Sequence, residues 1–356
     1  EVHATVGNLN NRIGVPMTLF GLQAAHRWAV VEVGTNQPGE VAELGRVTAP
    51  DLAILTLIDF EHTEGLGDLD GIEKEEGAIF GALREGGVAI GYADDPRVQR
   101  QLALVEQCQR FTYGYGKEAD CLICDHQMQE DGSGRVELEI RSGAFGGASP
   151  SAPGEGVSSR ISLKTPLTGK PGALAVAAAL SATFALLQEL PSRQVLESCL
   201  VGAGEAGRVT PVQTELDVLL LDDSYNSNPA SVELSLDSAT SLAQVRSGRL
   251  FCVLGDMLEL GQFAEDAHRA MGKSVASADP ALFVGIGPFS VLAVEQASAL
   301  RIPARHFPST HRVAEFLLGE LRPRDVVLIK ASRGIRAEKV VQELARQLGT
   351  SKRETS

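Results

Sequence analysis

An apolar run that ends in a series of polar residues is the feature that most constrains how this chain folds. Leu219–Leu221 is followed by Asp-Asp-Ser-Tyr-Asn-Ser-Asn and then by Pro229. Such a run predicts a buried strand whose carboxyl end opens into a loop, and open α/β sheets bind ligands in the crevice outside these strand ends. A helix that starts directly afterwards adds unpaired N–H groups that favour anions. The run therefore predicts a ligand site at the carboxyl edge of a parallel sheet.

Part of this motif has a simpler interpretation as the start of a helix. Asn228 followed by Pro229 fits an N-cap residue with proline at the first helical position. Capping does not require the preceding Asp-Asp-Ser-Tyr-Asn. We therefore interpret those side chains as donors and acceptors for a ribose, a base edge or a phosphate.

Composition narrows the class of protein. The 356 residues are 44% hydrophobic and 22% charged, which is typical of a soluble protein with two domains. A net charge of -14 argues against a nucleic-acid surface. We expect no membrane insertion and a cytoplasmic location, because the sequence shows no long apolar run and no signal pattern. Five cysteines fit a reducing compartment, and Cys121 and Cys124 are expected on opposite faces of a strand.

Short β-rich apolar runs alternate with helical segments along most of the chain. This alternation predicts an α/β fold with parallel sheets covered by helices. Between about 110 and 165 the pattern predicts a small antiparallel strand region, with a tight turn at Asp131–Gly134 and a loop at 142–158. The alternation restarts after Gly207, which predicts a Rossmann-like, doubly wound C-terminal domain. We expect a first domain over 1–207, a second over 208–350 and a frayed tail over 351–356.

Two strand ends in the first domain carry candidate metal ligands. Glu32 lies within the apolar run 29–34, which predicts a buried strand. A buried carboxylate is costly unless it meets a cation or a metal. His62 follows a second predicted strand, 52–58, among carboxylates. A lone histidine is more often structural, but its pairing with Glu32 favours a divalent metal.

Three further segments remain open between a functional and a structural interpretation. The asparagines within 7–16 suit a nucleotide or a sugar, and equally a turn. Lys330, Ser332 and Arg333 follow a predicted strand and form either an anion site or a solvated basic loop. The segment 255–261, with His268 beyond it, is either a site wall or a loop with a helix cap.

Together these segments resemble the Mur ligases. The similarity is carried, in order along the chain, by 7–16, VEVGTNQPGE (31–40), HTEGLG (62–67), DDSYNSNP (222–229), GDMLELG (255–261) and KASR (330–333). DDSYNSNP and GDMLELG are most similar to the member that joins D-alanyl-D-alanine to UDP-N-acetylmuramoyl-tripeptide in peptidoglycan synthesis. The resemblance implies a central ATPase domain followed by a Rossmann-like domain. It also implies an ATP- and Mg²⁺-dependent ligase that forms an amide bond through an acyl phosphate.

The resemblance also implies roles for individual residues. Glu32 and His62 would bind Mg²⁺, and Glu76 would replace the family's carbamoylated lysine as a ligand. Lys330 and Arg333 would join these three as catalytic residues. The implied nucleotide contacts are Asn11, Arg208, Asp223, Tyr225, Asn226 and Asn228. The implied substrate contacts are Asn8, Asn10, Asn36 and Ser332.

Departures from the family pattern leave alternatives open. We expect the family's UDP-binding domain and glycine-rich phosphate loop to lie before residue 1, and Pro171-Gly172 replaces an expected His-Asn pair. The protein is expected to act as a monomer. One alternative is a homologue that binds a nucleotide or a partner without catalysis. Another is a related ligase with a different amino-acid substrate.

Overall fold

The computed structural model describes residues 1–60, 63–141 and 159–350. The predicted loop 142–158, His62 and the predicted tail 351–356 lie outside the described residues. The chain divides into two compact units. The first comprises Glu1–Cys124, Leu138–Arg160 and Ala177–Leu190, and the second comprises Asp125–Glu137, Ile161–Val176 and Pro191–Ser356.

Up to residue 108 strands and helices alternate, and then four strands follow one another before the next helix. The strands are β1 (Val2–Ala4), β2 (Trp28–Val30), β3 (Leu52–Leu55), β4 (Val88–Tyr92), β5 (Gln109–Gly114), β6 (Cys121–Met128), β7 (Gly134–Ile140) and β8 (Ser159–Thr165). The helices are α1 (Gly14–Phe20), α2 (Glu40–Thr48), α3 (Thr63–Leu66), α4 (Leu69–Gly77), α5 (Pro96–Ala103), α6 (Gly169–Leu187) and α7 (Arg193–Leu200). Strands β3 to β8 form one sheet in chain order, and β3 to β6 run parallel. The prediction of an antiparallel region from about residue 110 is therefore wrong for the pairing of β5 with β6.

The elements after residue 200 form a second α/β layer structure. The strands are β9 (Thr210–Gln213), β10 (Leu219–Asp223), β11 (Leu250–Gly255), β12 (Leu282–Ile286), β13 (Ala304–Phe307) and β14 (Val326–Lys330). The helices are α8 (Pro229–Val245), α9 (Ala264–Ala278), α10 (Ser290–Ala299), α11 (Val313–Leu318) and α12 (Glu338–Leu348). The sheet order is β13-β12-β11-β14-β10-β9, and only β9 runs antiparallel.

This order brings three loops of the second unit to one edge of its sheet. Strand β14 lies between β10 and β11 and is parallel to both, so the carboxyl ends of these three strands are neighbours. All three are buried along their length, apart from a half-buried Asp222, and their alternate side chains pack beneath α11 and α12. The segments that follow them therefore leave a rigid core at adjacent points.

The prediction of a buried strand around Glu32 is wrong. Strand β2 ends at Val30, pairs only with β1 among the described residues, and is exposed along its length. Glu32 itself is exposed. The apolar run predicts burial because hydrophobic side chains usually cover each other, but all three residues of this short strand are exposed. The carboxylate of Glu32 consequently needs no buried counter-charge.

Two other expectations from the sequence need correction. Strand β13 was not predicted, because Ala-Arg-His-Phe carries a charge and an imidazole at the edge of the sheet. Among the described residues one helix, α6, is long and apolar enough to cross a membrane by length and composition, although no such run was expected. Its buried residues include Ala173, Val176 and Leu180. A buried apolar helix of this length is also a normal core element, so it is weak evidence for a membrane span.

Candidate functional site

The pairing of β10 with β14 places a carboxylate beside an ammonium group at the strand ends. Asp223 is in register with Lys330, and Lys330 Nζ lies 2.7 Å from Asp223 Oδ2. Both side chains are buried, with exposed fractions of 7% and 4%. Ser235 on α8 donates its hydroxyl to the same carboxylate oxygen, and the Val209 backbone N–H donates to the other. The Asp223 carboxylate is therefore fully occupied by groups of the protein.

Lys330 also determines where the loop after β10 runs. Its ammonium group donates to the Asn226 carbonyl at 2.9 Å. A buried lysine with two fixed acceptors acts as a cross-link between β14 and the 224–228 loop. Asp223 and Lys330 were predicted as ligand contacts. In the structure both are buried, and Lys330 supports the 224–228 loop. Their predicted contact with nucleotide and substrate stays a prediction.

Two arginines lie near the ring of Tyr225. The Arg208 guanidinium is 4.4 Å from the centroid of the Tyr225 ring, and the Arg333 guanidinium is 5.8 Å from it. Both arginines are exposed, whereas Tyr225 is half-buried. Tyr225 donates its backbone N–H to the Gly207 carbonyl at 3.1 Å, which explains how Arg208 comes next to the ring. Gly207 has φ +79, and a Cβ there would lie 3.2 Å from the Tyr225 Cβ, so the close approach favours glycine.

An aromatic ring with two accessible guanidinium groups nearby can bind a particular kind of ligand. Guanidinium groups bind phosphate oxygens in a bidentate fork, and an aromatic ring stacks on a planar base. We call Arg208, Tyr225 and Arg333 the arginine–tyrosine cluster. This cluster fits a ligand that carries both negative charge and an aromatic ring, as a nucleotide does.

The two asparagines of the 224–228 loop differ in their surroundings. Asn228 is the N-cap of α8, accepts the Ser231 N–H at 2.8 Å and forms a capping box with Ser231. The simpler interpretation of Asn228 is therefore confirmed. Asn226 is exposed and its side chain accepts only the neighbouring Ser227 N–H in the described part of the chain. Its amide nitrogen is accessible to a ligand.

Asp222, two residues before this loop, has a raised pKa. Burial raises the pKa of Asp222, and hydrogen bonds from the Ser224 hydroxyl and N–H partly offset that effect. The negative charges of Asp223 and Glu338 raise it further. Asp222 points away from Asp223 because consecutive residues of a strand face opposite sides of the sheet. It stabilises the turn at Ser224 that starts the ligand loop.

The segment after β11 holds the segment after β14 in place. Ser332 donates its backbone N–H to the Asp256 carbonyl at 3.1 Å and accepts the Leu258 N–H on its hydroxyl at 2.9 Å. The hydroxyl in turn donates to the Ser227 carbonyl at 3.3 Å. Ser332, a predicted substrate contact, is buried and joins all three loops at this edge. The adjacent Arg333 is exposed.

In the first unit, the asparagine-rich segment turns onto the segment after β2. Asn10 donates its amide to Glu32 Oε1 at 2.8 Å, and the Gly34 N–H donates to the Asn10 carbonyl at 2.8 Å. Asn11 accepts the N–H groups of Ile13 and Gly14 at the start of α1. The structural interpretation of Asn11 as a turn residue is thus confirmed for its oxygen. Asn8 is exposed, and its carbonyl accepts the Asn10 N–H.

A buried glutamate holds the next loop, which carries Asn36. Glu75 on α4 accepts the Gly39 N–H at 2.6 Å, the Val41 N–H at 2.8 Å and the Thr35 hydroxyl at 3.4 Å. Glu75 is 7% exposed. It thereby caps α2 and fixes both ends of the 35–41 loop. Asn36 is exposed at the tip of this loop.

The predicted Mg²⁺ ligands are not gathered by the described residues alone. Glu76 is half-buried on α4, and Glu32 is exposed with one carboxylate oxygen bonded to Asn10. His62, the third predicted ligand, lies outside the described residues. Within 1–60, 63–141 and 159–350 no group of three or more His, Cys, Asp or Glu side chains is placed to hold a metal ion. The Mg²⁺ site stays a prediction.

Comparison with known proteins identifies the family. The Mur ligase middle domain matches residues 1–171, and the Mur ligase glutamate ligase domain matches residues 207–333. The UDP-N-acetylmuramoyl-tripeptide--D-alanyl-D-alanine ligase of Escherichia coli K12 is 30% identical over 344 residues, which cover 96% of this chain and 70% of that protein. The chain belongs to the Mur ligase family. The enzyme of the same name from Bacillus subtilis is 28% identical over 97% of this chain and 70% of its own length.

Solved Mur ligase structures share the fold. A crystal structure of MurF from Acinetobacter baumannii matches with a TM-score of 0.80 and 25% identity, covering 97% of this chain and 70% of that one. The MurF ligase of Thermotoga maritima in complex with ADP matches in fold with a TM-score of 0.80 at 23% identity, covering 98% and 74%. The predicted α/β architecture of a Mur ligase is confirmed.

Two residues that hold these Mur ligase loops were missed in the sequence. Glu75 was passed over for its neighbour Glu76, although its position on the buried face of α4 follows from the buried Ile72 one turn earlier. His268 was considered only together with the 255–261 segment, as part of a site wall or of a loop with a helix cap. Met271 and Val275 follow it at a spacing of three and seven residues, which places all three on one face of a helix. This spacing is the sequence signal that predicts its burial on α9.

Proposed function

We propose that this protein is an ATP-dependent ligase that joins D-alanyl-D-alanine to UDP-N-acetylmuramoyl-tripeptide, a step of peptidoglycan precursor synthesis. Relatives that carry the name of this enzyme match nearly the whole chain at 28% and 30% identity. The single structural observation that supports the proposal best is the arginine–tyrosine cluster, which suits the nucleotide of such a reaction.

The chemistry requires activation of a carboxylate. A carboxylate is a poor electrophile at neutral pH, so its oxygen first attacks the γ-phosphorus of ATP, and ADP leaves. The amine of D-alanyl-D-alanine then attacks the carbonyl carbon of the acyl phosphate, loses a proton and expels inorganic phosphate. Both steps bring anions together, and fixed cations lower that cost. Arg208 and Arg333 are accessible cations in the second unit.

Roles for the remaining residues follow from the same proposal. In the second unit, Tyr225 and Asn226 contact the nucleotide, while Asp223, Lys330, Asn228 and Ser332 fix the loops that present them. In the first unit, Asn8, Asn10 and Asn36 contact substrate groups. Mg²⁺ would be held by oxygen atoms of Glu32 and Glu76 with His62, and it would neutralise phosphate charge. We also propose that the enzyme is a cytoplasmic monomer without membrane insertion.

The test is an amine panel with the full-length protein. Phosphate release is measured with ATP, Mg²⁺ and UDP-N-acetylmuramoyl-tripeptide, in the presence of D-alanyl-D-alanine, D-glutamate, L-lysine or diaminopimelate. The proposal expects release that depends on both the tripeptide and the dipeptide. Release with one of the single amino acids instead would indicate a related ligase with another substrate.

A second candidate function is nucleotide binding without ligation. The observation that favours it is the engagement of several predicted catalytic and binding groups with the protein itself, above all Asp223 and Lys330. Tight ADP binding with no product from any amine would support this candidate over the ligase.

A further inference from the structure

His268 occupies a buried position that the proposed chemistry does not use. It lies on α9 with an exposed fraction of 0%, and its ring stacks on Phe289 at a centroid distance of 5.5 Å. The Met257 N–H donates to His268 Nε2 at 3.0 Å, and His268 Nδ1 lies 2.6 Å from the Ala264 carbonyl. These two contacts assign a neutral imidazole with its proton on Nδ1, because Nε2 must accept and Nδ1 must donate.

The hydrogen bond to Met257 fixes the start of the 256–261 loop. The next residue, Leu258, donates its N–H to the Ser332 hydroxyl at 2.9 Å, and Asp256 on the other side accepts the Ser332 N–H. The Asp256 carboxylate accepts the N–H groups of Phe289 and Ser290 at the start of α10. Hydrogen bonds with His268 and with the start of α10 thus fix the loop on one side. On its other side the loop forms hydrogen bonds with Ser332.

We propose that His268 is a positioning residue for the ligation reaction. By accepting the Met257 N–H it sets the 256–261 loop, which in turn sets Ser332 and the exposed Arg333 that follows it. The inference rests on the proposed function, since it concerns the placement of Arg333 next to Tyr225. Imidazole serves here because it offers an acceptor on one side of a planar ring and a donor on the other. No charge is needed in this buried place.

The test compares two substitutions at one position. His268→Leu removes the acceptor and leaves the Met257 N–H buried without a partner, whereas His268→Gln keeps an acceptor on a side chain of similar reach. Val275→Ala is the matched control, because Val275 is equally buried on the same helix but its alkyl side chain cannot accept a hydrogen bond from the loop. Steady-state ligation is measured in the full-length protein for each variant, together with hydrogen exchange of the 256–261 and 331–334 segments.

We expect His268→Leu to raise the KM for ATP about tenfold and to speed exchange in both segments, with His268→Gln close to wild type. Val275→Ala should lower thermal stability without moving KM. An unchanged KM for ATP in His268→Leu, or an equal rise in Val275→Ala, would overturn the proposal. If the wild type ligates no amine but exchange is still faster in His268→Leu, the contact between His268 and the loop is supported. The proposed ligase function would then be the part of the account that is wrong.

Discussion

The ammonium group of Lys330 and the carboxylate of Asp223 form a buried ion pair, 2.7 Å apart, across two neighbouring parallel strands. Each partner also holds a loop: Lys330 the Asn226 carbonyl, and Asp223 the Val209 N–H. Through Val209 and Asn226, the neighbours of Arg208 and Tyr225 in the chain, the pair therefore fixes these two residues to the sheet. Its effect on ligand binding is indirect, through the residues it places.

Removal of both members of this pair should cost less free energy of unfolding than the two single removals added together. Asp223→Leu or Lys330→Met leaves an uncompensated buried charge, which costs about 3–5 kcal/mol of the free energy of unfolding. The double variant removes both charges and should lose less than the sum of the two. Chemical unfolding of the four proteins measures this. Additive losses would mean that the two groups do not interact as the structure shows.

Tyr225 should contribute its ring to nucleotide affinity. Tyr225→Leu removes the ring that lies near Arg208 and Arg333, and we expect ADP to bind about tenfold more weakly, whereas Tyr225→Phe should bind nearly as well. Calorimetric titration with ADP measures the change. Arg305→Ala serves as the control, because Arg305 stacks on Phe307 and Phe316 instead. Equal affinities in Tyr225→Leu and wild type would contradict a stacking role.

Glu75, which caps α2, should contribute far more to the free energy of unfolding than Glu43, an exposed glutamate on α2. Glu75→Gln replaces one acceptor oxygen by a donor that faces backbone N–H groups, which should cost about 1–3 kcal/mol. Glu43→Gln is the matched control, since Glu43 lies on α2 and pairs with Arg12 at the surface. Its loss should stay below about 1 kcal/mol. Thermal unfolding of both variants checks the difference, and equal losses would refute the capping role.

Stability should depend on pH through His268. Burial lowers the pKa of His268 from 6.5, while the bond to Ala264 and the Asp256 carboxylate, 3.8 Å from Nε2, partly offset this shift. A depressed pKa of a base means that the unfolded chain takes up the proton first as the pH falls. The stability that neutral His268 contributes is thus complete above about pH 6.5 and declines below it, towards the folded-state pKa.

Unfolding experiments over a range of pH measure this dependence. The free energy of unfolding of wild type is compared with that of His268→Gln from about pH 8 to about pH 5. The advantage of wild type should shrink as the pH falls, because only wild type must protonate a buried ring. A difference that stays constant over this range would show that His268 does not titrate on unfolding.

The sequence predicts those parts of the fold that depend on residues close together in the chain. The apolar runs that became β10 and β14 are predicted as buried strands from the sequence, because full burial leaves a strong hydrophobic signal. The run around Glu32 contains the same residue types. It formed a short exposed strand, and hydropathy alone does not reveal whether other elements cover a strand.

The candidate site shows the same division. Residues at strand ends, such as Tyr225 and Arg333, were predicted because topology brings such ends together. The sequence did not reveal which polar groups are consumed within the protein: the cap at Asn11, the buried partner of Lys330 and the acceptor at Glu75 all depend on contacts with distant residues. Hydrogen-bond partners far apart in the chain leave no local pattern to read.

The fate of the substrate's carboxylate oxygen tests the central claim most directly. The full-length protein is given ATP, D-alanyl-D-alanine and UDP-N-acetylmuramoyl-tripeptide labelled with oxygen-18 in the terminal carboxylate, and the mass of the released phosphate is measured. Ligation through an acyl phosphate predicts one oxygen-18 atom in each phosphate, together with the amide product. Unlabelled phosphate, or no phosphate that depends on the dipeptide, would contradict the account.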